Sequence, residues 1–212
     1  MALIFLLCFG SEMDEEIKIE QIHTELSKYA IFSQLQKDNL NLMTTKGLVH
    51  DHVWIKPDSC SDHSMMVRVP RLSQFGLDPR ENLKYQSACF SKASLSNHTP
   101  KLILVVEPSA CLPMGALVVE FIQGKNIVLP KDLNGMAECF ARVHSLKTPR
   151  NPAPSGLVYH IDPIAGVVNT IKEQSKFIND ATDDIQVQKI LNEEVEWASE
   201  FARQNSNLHP AP

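Results

Sequence analysis

Apolar residues recur along this chain with two different periods, and the changes of period mark its elements. Between Asp14 and Leu35, the residues Ile19, Ile22, Leu26 and Tyr29 share one stripe and acidic residues crowd the amino end, where a helix dipole favours them; this predicts an amphipathic helix that packs on a sheet. Leu40 to Thr45 and Leu48 to Lys56 then read as short strands separated by Lys46 and Gly47, a hairpin with glycine at its turn. Ser64 to Pro70 is a third strand, with Met66 and Arg68 on one face. A helix over roughly Pro79 to Ala93 follows, and then Lys101 to Glu107, a strand whose unbroken apolar run predicts burial on both faces.

The next stretch joins both periods. Ala116 to Val119 is an apolar strand that runs through Glu120 and Phe121 into a glycine turn, Gln123 and Gly124, and then into a helix. Leu133, Met136, Ala137, Phe140, Ala141 and His144 form that helix's predicted apolar face, with Lys131, Glu138 and Arg142 outward and Pro130 and Asp132 at its start. Beyond Leu146 comes a proline-rich connector, TPRNPAP. Two helices follow, Ile164 to Ile178 and Asp184 to Ala202, the second with Ile185, Leu191, Val195, Ala198 and Phe201 near one face and Asp183 or Asp184 as its cap. The fold class is α+β.

Composition narrows the partners. At 212 residues and 43% hydrophobic content the chain suits one large domain or two small ones with a real core. A net charge of −5 argues against a nucleic-acid surface, which needs clustered Lys and Arg, and leaves neutral small molecules or cations. Cys8, Cys60, Cys89, Cys111 and Cys139 have no paired spacing, so reduced thiols and a cytoplasmic location are expected. MALIFLLCFG lacks the basic start and cleavage site of a signal peptide and is too short to span a bilayer. Residues 1–13 are therefore read as an apolar leader ahead of a natural start at Met13, with no membrane partner.

Few residues carry candidate chemistry. Arg68 lies on an otherwise apolar strand, where a guanidinium needs an anion opposite it or an edge from which to reach solvent. Alternation places His50 and His52 on one face, but no third ligand stands at a metal-site spacing, and no metal site is expected; Cys60 and His63 read as loop residues.

The stretch LVVEFIQG, the helix ending in ARVHSL and the upstream VRVPR resemble the lobe connection and inner strand of the aminoglycoside phosphotransferase and choline kinase-like family, small-molecule kinases with a variant of the protein kinase fold. The resemblance covers roughly Leu40 to Leu146. It implies a kinase-like amino-terminal lobe over 14–119, an antiparallel five-stranded sheet with a helix, then a hinge over 120–131 and an incomplete helical carboxy-terminal lobe over 132–212. By the same resemblance, ATP is the nucleotide: amides around Gly47 would face its triphosphate, Arg68 would contact phosphates, and Gln86 would stand where the family has a glutamate partner for that cation. Adenine would lie against Val119 and bond the carbonyl of Glu120 and the amide of Ile122.

The family also uses Mg2+ and a loop of the form H-G-D-x-x-x-x-N. The only H-x-D here is His160-Ile161-Asp162, and Val167 stands where asparagine would be, so no catalytic residue and no magnesium ligand is assigned. The expectation is the nucleotide-binding part of a phosphotransferase acting on a small-molecule hydroxyl, stopping before the catalytic loop and inactive alone. Ile164, Ile171, Leu191 or Phe201 would then face water and favour self-association. The alternative is a non-catalytic kinase-like scaffold or protein-interaction module.

Overall fold

The computed structural model describes residues 12–43, 49–56, 64–73, 75–147, 156–157, 160, 162–176 and 182–205. The chain divides into two compact units, Met1–Thr148 and Pro149–Pro212. In the first, helix α1 (Glu12–Leu26) precedes strands β1 (Leu40–Leu42), β2 (His50–Ile55) and β3 (Met65–Pro70); helix α2 (Pro79–Ala93) precedes β4 (Leu102–Val106) and β5 (Ala116–Glu120), and helix α3 (Leu133–His144) closes the unit. The strands form one antiparallel sheet in the order β1-β2-β3-β5-β4.

Strand β5 is the inner strand that both helical layers cover. Ala116, Leu117 and Val118 have no exposure and Val119 has 3%. Because successive side chains point to opposite faces, Ala116 and Val118 join the core under α1, with Ile22, Leu26, Val53 and Val67. Leu117 and Val119 join Leu83 and Phe90 of α2 on the other face. Full burial of one such side chain contributes about 1.5–3 kcal/mol, so both helices are held by the same strand. On the α1 face, Lys18 reaches Asp51 of β2 at 3.4 Å, and Glu25, also buried, bonds Lys28 at 2.7 Å and accepts from the Ser109 hydroxyl at 2.7 Å.

Four expectations need correction. The first helix stops at Leu26 rather than Leu35: Tyr29 is extended (φ −102°, ψ 133°), and the break turns Phe32 and Leu35 back into the core that Ile22 and Leu26 occupy. The Leu35 carbonyl lies 3.0 Å from His23 Nε2, which ties the returning chain to α1. Strand β4 is not buried on both faces; it lies at the sheet edge, and Ile103 is exposed where the pairing register shifts between Leu102 and Leu104. In α3 the half-buried positions are Met136, Cys139 and Val143, whereas Leu133 and Phe140 of the expected face are exposed. The Cys139 thiol meets the His98 carbonyl at 3.7 Å, so this side of the helix turns toward the sheet unit. Asp132 does not cap α3 with its side chain but accepts from the Val128 amide at 2.9 Å, fixing the segment before the helix.

Helix α2 matches its expected span because its start is strongly specified: the Asp78 carboxylate accepts from the Arg80 and Glu81 amides, and Pro79 needs no partner for an N–H. The hairpin turn between β1 and β2 lies outside the described residues.

The second unit pairs α4 (Pro163–Ser175) with α5 (Ile185–Gln204). Asp162 and Asp184 cap them, accepting from Ala165 and from Gln186 and Val187. Ile171, Leu191 and Phe201 are exposed and Ile164 is half-buried. Among the described residues no helix is long and apolar enough to cross a membrane.

Gly115, at the entry to β5, has φ +66°, and a Cβ there would lie 2.5 Å from the Val106 carbonyl oxygen. Gly115→Ala therefore combines a left-handed backbone with a clash against the neighbouring strand, and is expected to cost at least about 1–3 kcal/mol. Urea unfolding followed by circular dichroism checks this, with a lowered midpoint as the expected outcome.

Candidate functional site

The pairing of β2 with β3 sets Arg68 opposite His52, and that of β3 with β5 sets it opposite Leu117. With Met66, it points to the α2 face of the sheet, away from the Val67 side. There its guanidinium carbon stands 5.1 Å from the centre of the Phe90 ring. Arg68 Nε is buried and finds no acceptor among the described residues. Burial draws the guanidinium pKa below its ordinary value, since desolvation disfavours the charged form.

A cavity of about 500 Å³ opens on this face, lined by His52, Met66, Arg68, Phe90, Val119 and the chain that leaves β5, Glu120, Phe121 and Ile122. Its volume falls within the range of small-molecule pockets. The connector is held to the sheet up to Phe121: the Glu120 amide donates to the Lys101 carbonyl at 2.9 Å and the Phe121 amide to the Ser64 carbonyl at 3.0 Å. The Phe121 ring packs 5.7 Å from that of Trp54. The Glu120 carboxylate accepts from the Lys101 amide at 3.3 Å, and the Ile122 amide has no acceptor among the described residues. Arg68 and the stretch Val119 to Ile122, from two places in the sequence, thus border one crevice.

Gln86 is not bonded to that group. Gln86 accepts through Oε1 from His50 Nε2 at 3.0 Å rather than bonding Arg68, although both side chains line a smaller neighbouring cavity of about 170 Å³. Gly47 lies outside the described residues, as do Cys60 and His63. Asp162 of the His160-Ile161-Asp162 run serves as the cap of α4.

His50 and His52 share a face, as alternation requires, with their rings stacked 6.1 Å apart at 17°. Burial pushes both imidazole pKa values down, and the Arg68 charge adds to this; on His50 the Gln86 bond opposes it. Among the described residues, no three or more His, Cys, Asp or Glu side chains converge as a metal site would need.

His52, Asn82, Phe90 and Phe121 line the cavities but are not among the candidate nucleotide-site residues named from the sequence. His52 stands beside Arg68 through the strand register, and Phe90 and Asn82 each lie about one helical turn from Gln86 on α2. Phe121 is fixed by Trp54, a cross-sheet contact with no local signal.

Compared with models of protein families, with curated proteins and with solved structures, the chain matches none.

Two bases with lowered pKa values give a definite pH dependence. Their neutral forms support the fold fully above the ordinary histidine value of 6.5, and that support is lost as pH falls through the lowered folded-state values. In an NMR titration both rings should titrate below 6.5. Arg68→Met should raise both values while leaving them below 6.5, because burial is the larger cause.

Proposed function

We propose that this chain is the nucleotide-binding part of an ATP-dependent small-molecule phosphotransferase of the aminoglycoside phosphotransferase and choline kinase-like kind. The observation that carries the reading is the shared cavity: a half-buried guanidinium whose Nε–H is buried and has no acceptor among the described residues lines the same crevice of about 500 Å³ as the peptide that leaves the central strand. In this reading the sheet unit is a kinase-like lobe, residues 120–131 are its hinge, and Arg68 holds phosphate oxygens. Val119 lies behind the adenine, which bonds the Glu120 carbonyl and the Ile122 amide. A guanidinium suits this task because its planar donors match phosphate geometry.

The described residues fit ATP in part and present no ligand set for Mg2+. The cavity volume and the unmatched donor suit a nucleotide. Mg2+ prefers oxygen ligands in octahedral array, and the described residues bring together no such set. Gln86 offers a neutral amide, already bonded to His50, where a charged partner would fix the cation. Nucleotide binding is therefore proposed for these residues and phosphoryl transfer to a hydroxyl substrate is not.

A second reading, a non-catalytic interaction or self-association module, draws on apolar side chains left open in each unit separately, Leu133 and Phe140 on α3 and Leu191 and Phe201 on α5.

Calorimetric titration separates them. ATP should bind the wild-type chain, and Arg68→Ala should weaken it about tenfold or more, the effect of losing a hydrogen bond to a charged group, while adenosine binds both proteins alike. Absence of ATP binding, or an Arg68→Ala titration indistinguishable from wild type, would remove the nucleotide reading and leave the second.

A further inference from the structure

The smaller cavity, about 170 Å³, lies between β2, β3 and the face of α2, and its wall has an uneven supply of donors and acceptors. His50 and Gln86 satisfy one another across it at 3.0 Å. Asn82 does not share in this: the residue is 2% exposed, and its Nδ2 has no acceptor among the described residues. Arg68 Nε, in the same wall, also has none. A buried donor left unmatched forfeits its hydration with nothing in return, and native structures rarely keep two together without an acceptor.

The charge of the wall points the same way. Among the described residues, no Asp or Glu lines this cavity. Burial pushes the Tyr85 hydroxyl up to about 12 and raises the Cys89 thiol, so at neutral pH both stay uncharged, and among the described lining residues the Arg68 guanidinium is the single charge. One cation, one amide donor and no anion make a setting that favours a small acceptor-rich ligand. The volume suits a phosphate or acetate ion and is well below the several hundred Å³ typical of pockets for larger ligands.

We propose that the cavity between β2, β3 and α2 is a second ligand site, for a small oxyanion held by the Asn82 side-chain amide and the Arg68 guanidinium. It goes beyond nucleotide binding and does not depend on it. Arg68 borders both cavities, but Asn82 lines only the small one, so the two sites can be told apart by substitution.

The test is an NMR titration of the full chain with inorganic phosphate and, in parallel, acetate, at ionic strength matched with sodium chloride. The Asn82 side-chain amide should shift saturably with at least one of the two, and the one that acts identifies the oxyanion class. Asn82→Leu, of similar volume, should weaken that binding about tenfold or more while ATP titrations remain as in wild type. If Asn82→Leu loses its dispersed spectrum, Cys89→Met replaces it: both donors stay, the cavity is filled, and the same loss is expected. Shifts no larger than chloride produces would mean donors hydrated by water only, and saturable binding that survives either folded variant would place the anion elsewhere. Either result overturns the second site.

Discussion

The sheet unit depends on a strand that can meet water on neither face. Ala116 to Val119 leave almost no surface exposed, so a layer must lie over each side of β5, and the two helices supply them. The α1 layer is closed, with its polar groups paired at the rim through Asp51 and Glu25. The α2 layer is partial: Leu83 and Phe90 cover Leu117 and Val119, and to either side of Phe90 the sheet opens into the two cavities. The chain leaves β5 at the edge of the larger one. One constraint thus fixes the core, the crevice and the peptide beside it.

Arg68 is the residue that this arrangement leaves unsettled. Its contact with the Phe90 ring is of a kind worth about 0.5–2 kcal/mol, less than the several kcal/mol that fully removing an ion from water costs. Gln86, the partner that the resemblance would give it, is engaged by His50. His50 and His52 lie on the same face and are held neutral, so they neither compete as cations nor supply an anion. An exogenous anion is the simplest complement to such a wall, and both binding proposals follow from that imbalance.

Much of the fold was legible in the sequence because local signals there were strong. Asp78-Pro79 specifies the start of α2, and strict alternation placed Met66 with Arg68 and His50 with His52. The misreadings arose where tertiary position overrides local pattern. The apolar run of β4 looks like a central strand, yet sheet order puts it at the edge and gives the inner place to β5, whose run is equally apolar. Periodicity in α3 favoured Leu133 and Phe140, but the contact through Cys139 turns a different stripe toward the sheet unit. For the site, spacing could nominate Arg68 and the connector separately. That they line one crevice, and that Asn82 lines another with its amide unmatched, depends on cross-strand register and helix placement.

The most direct test is a crystal structure of the chain with a non-hydrolysable ATP analogue. The account predicts phosphate oxygens within hydrogen-bond distance of Arg68 and the adenine edge against the backbone of Glu120 and Ile122. An Arg68 side chain paired with a carboxylate and turned out of the crevice, or an analogue bound away from it, would contradict it.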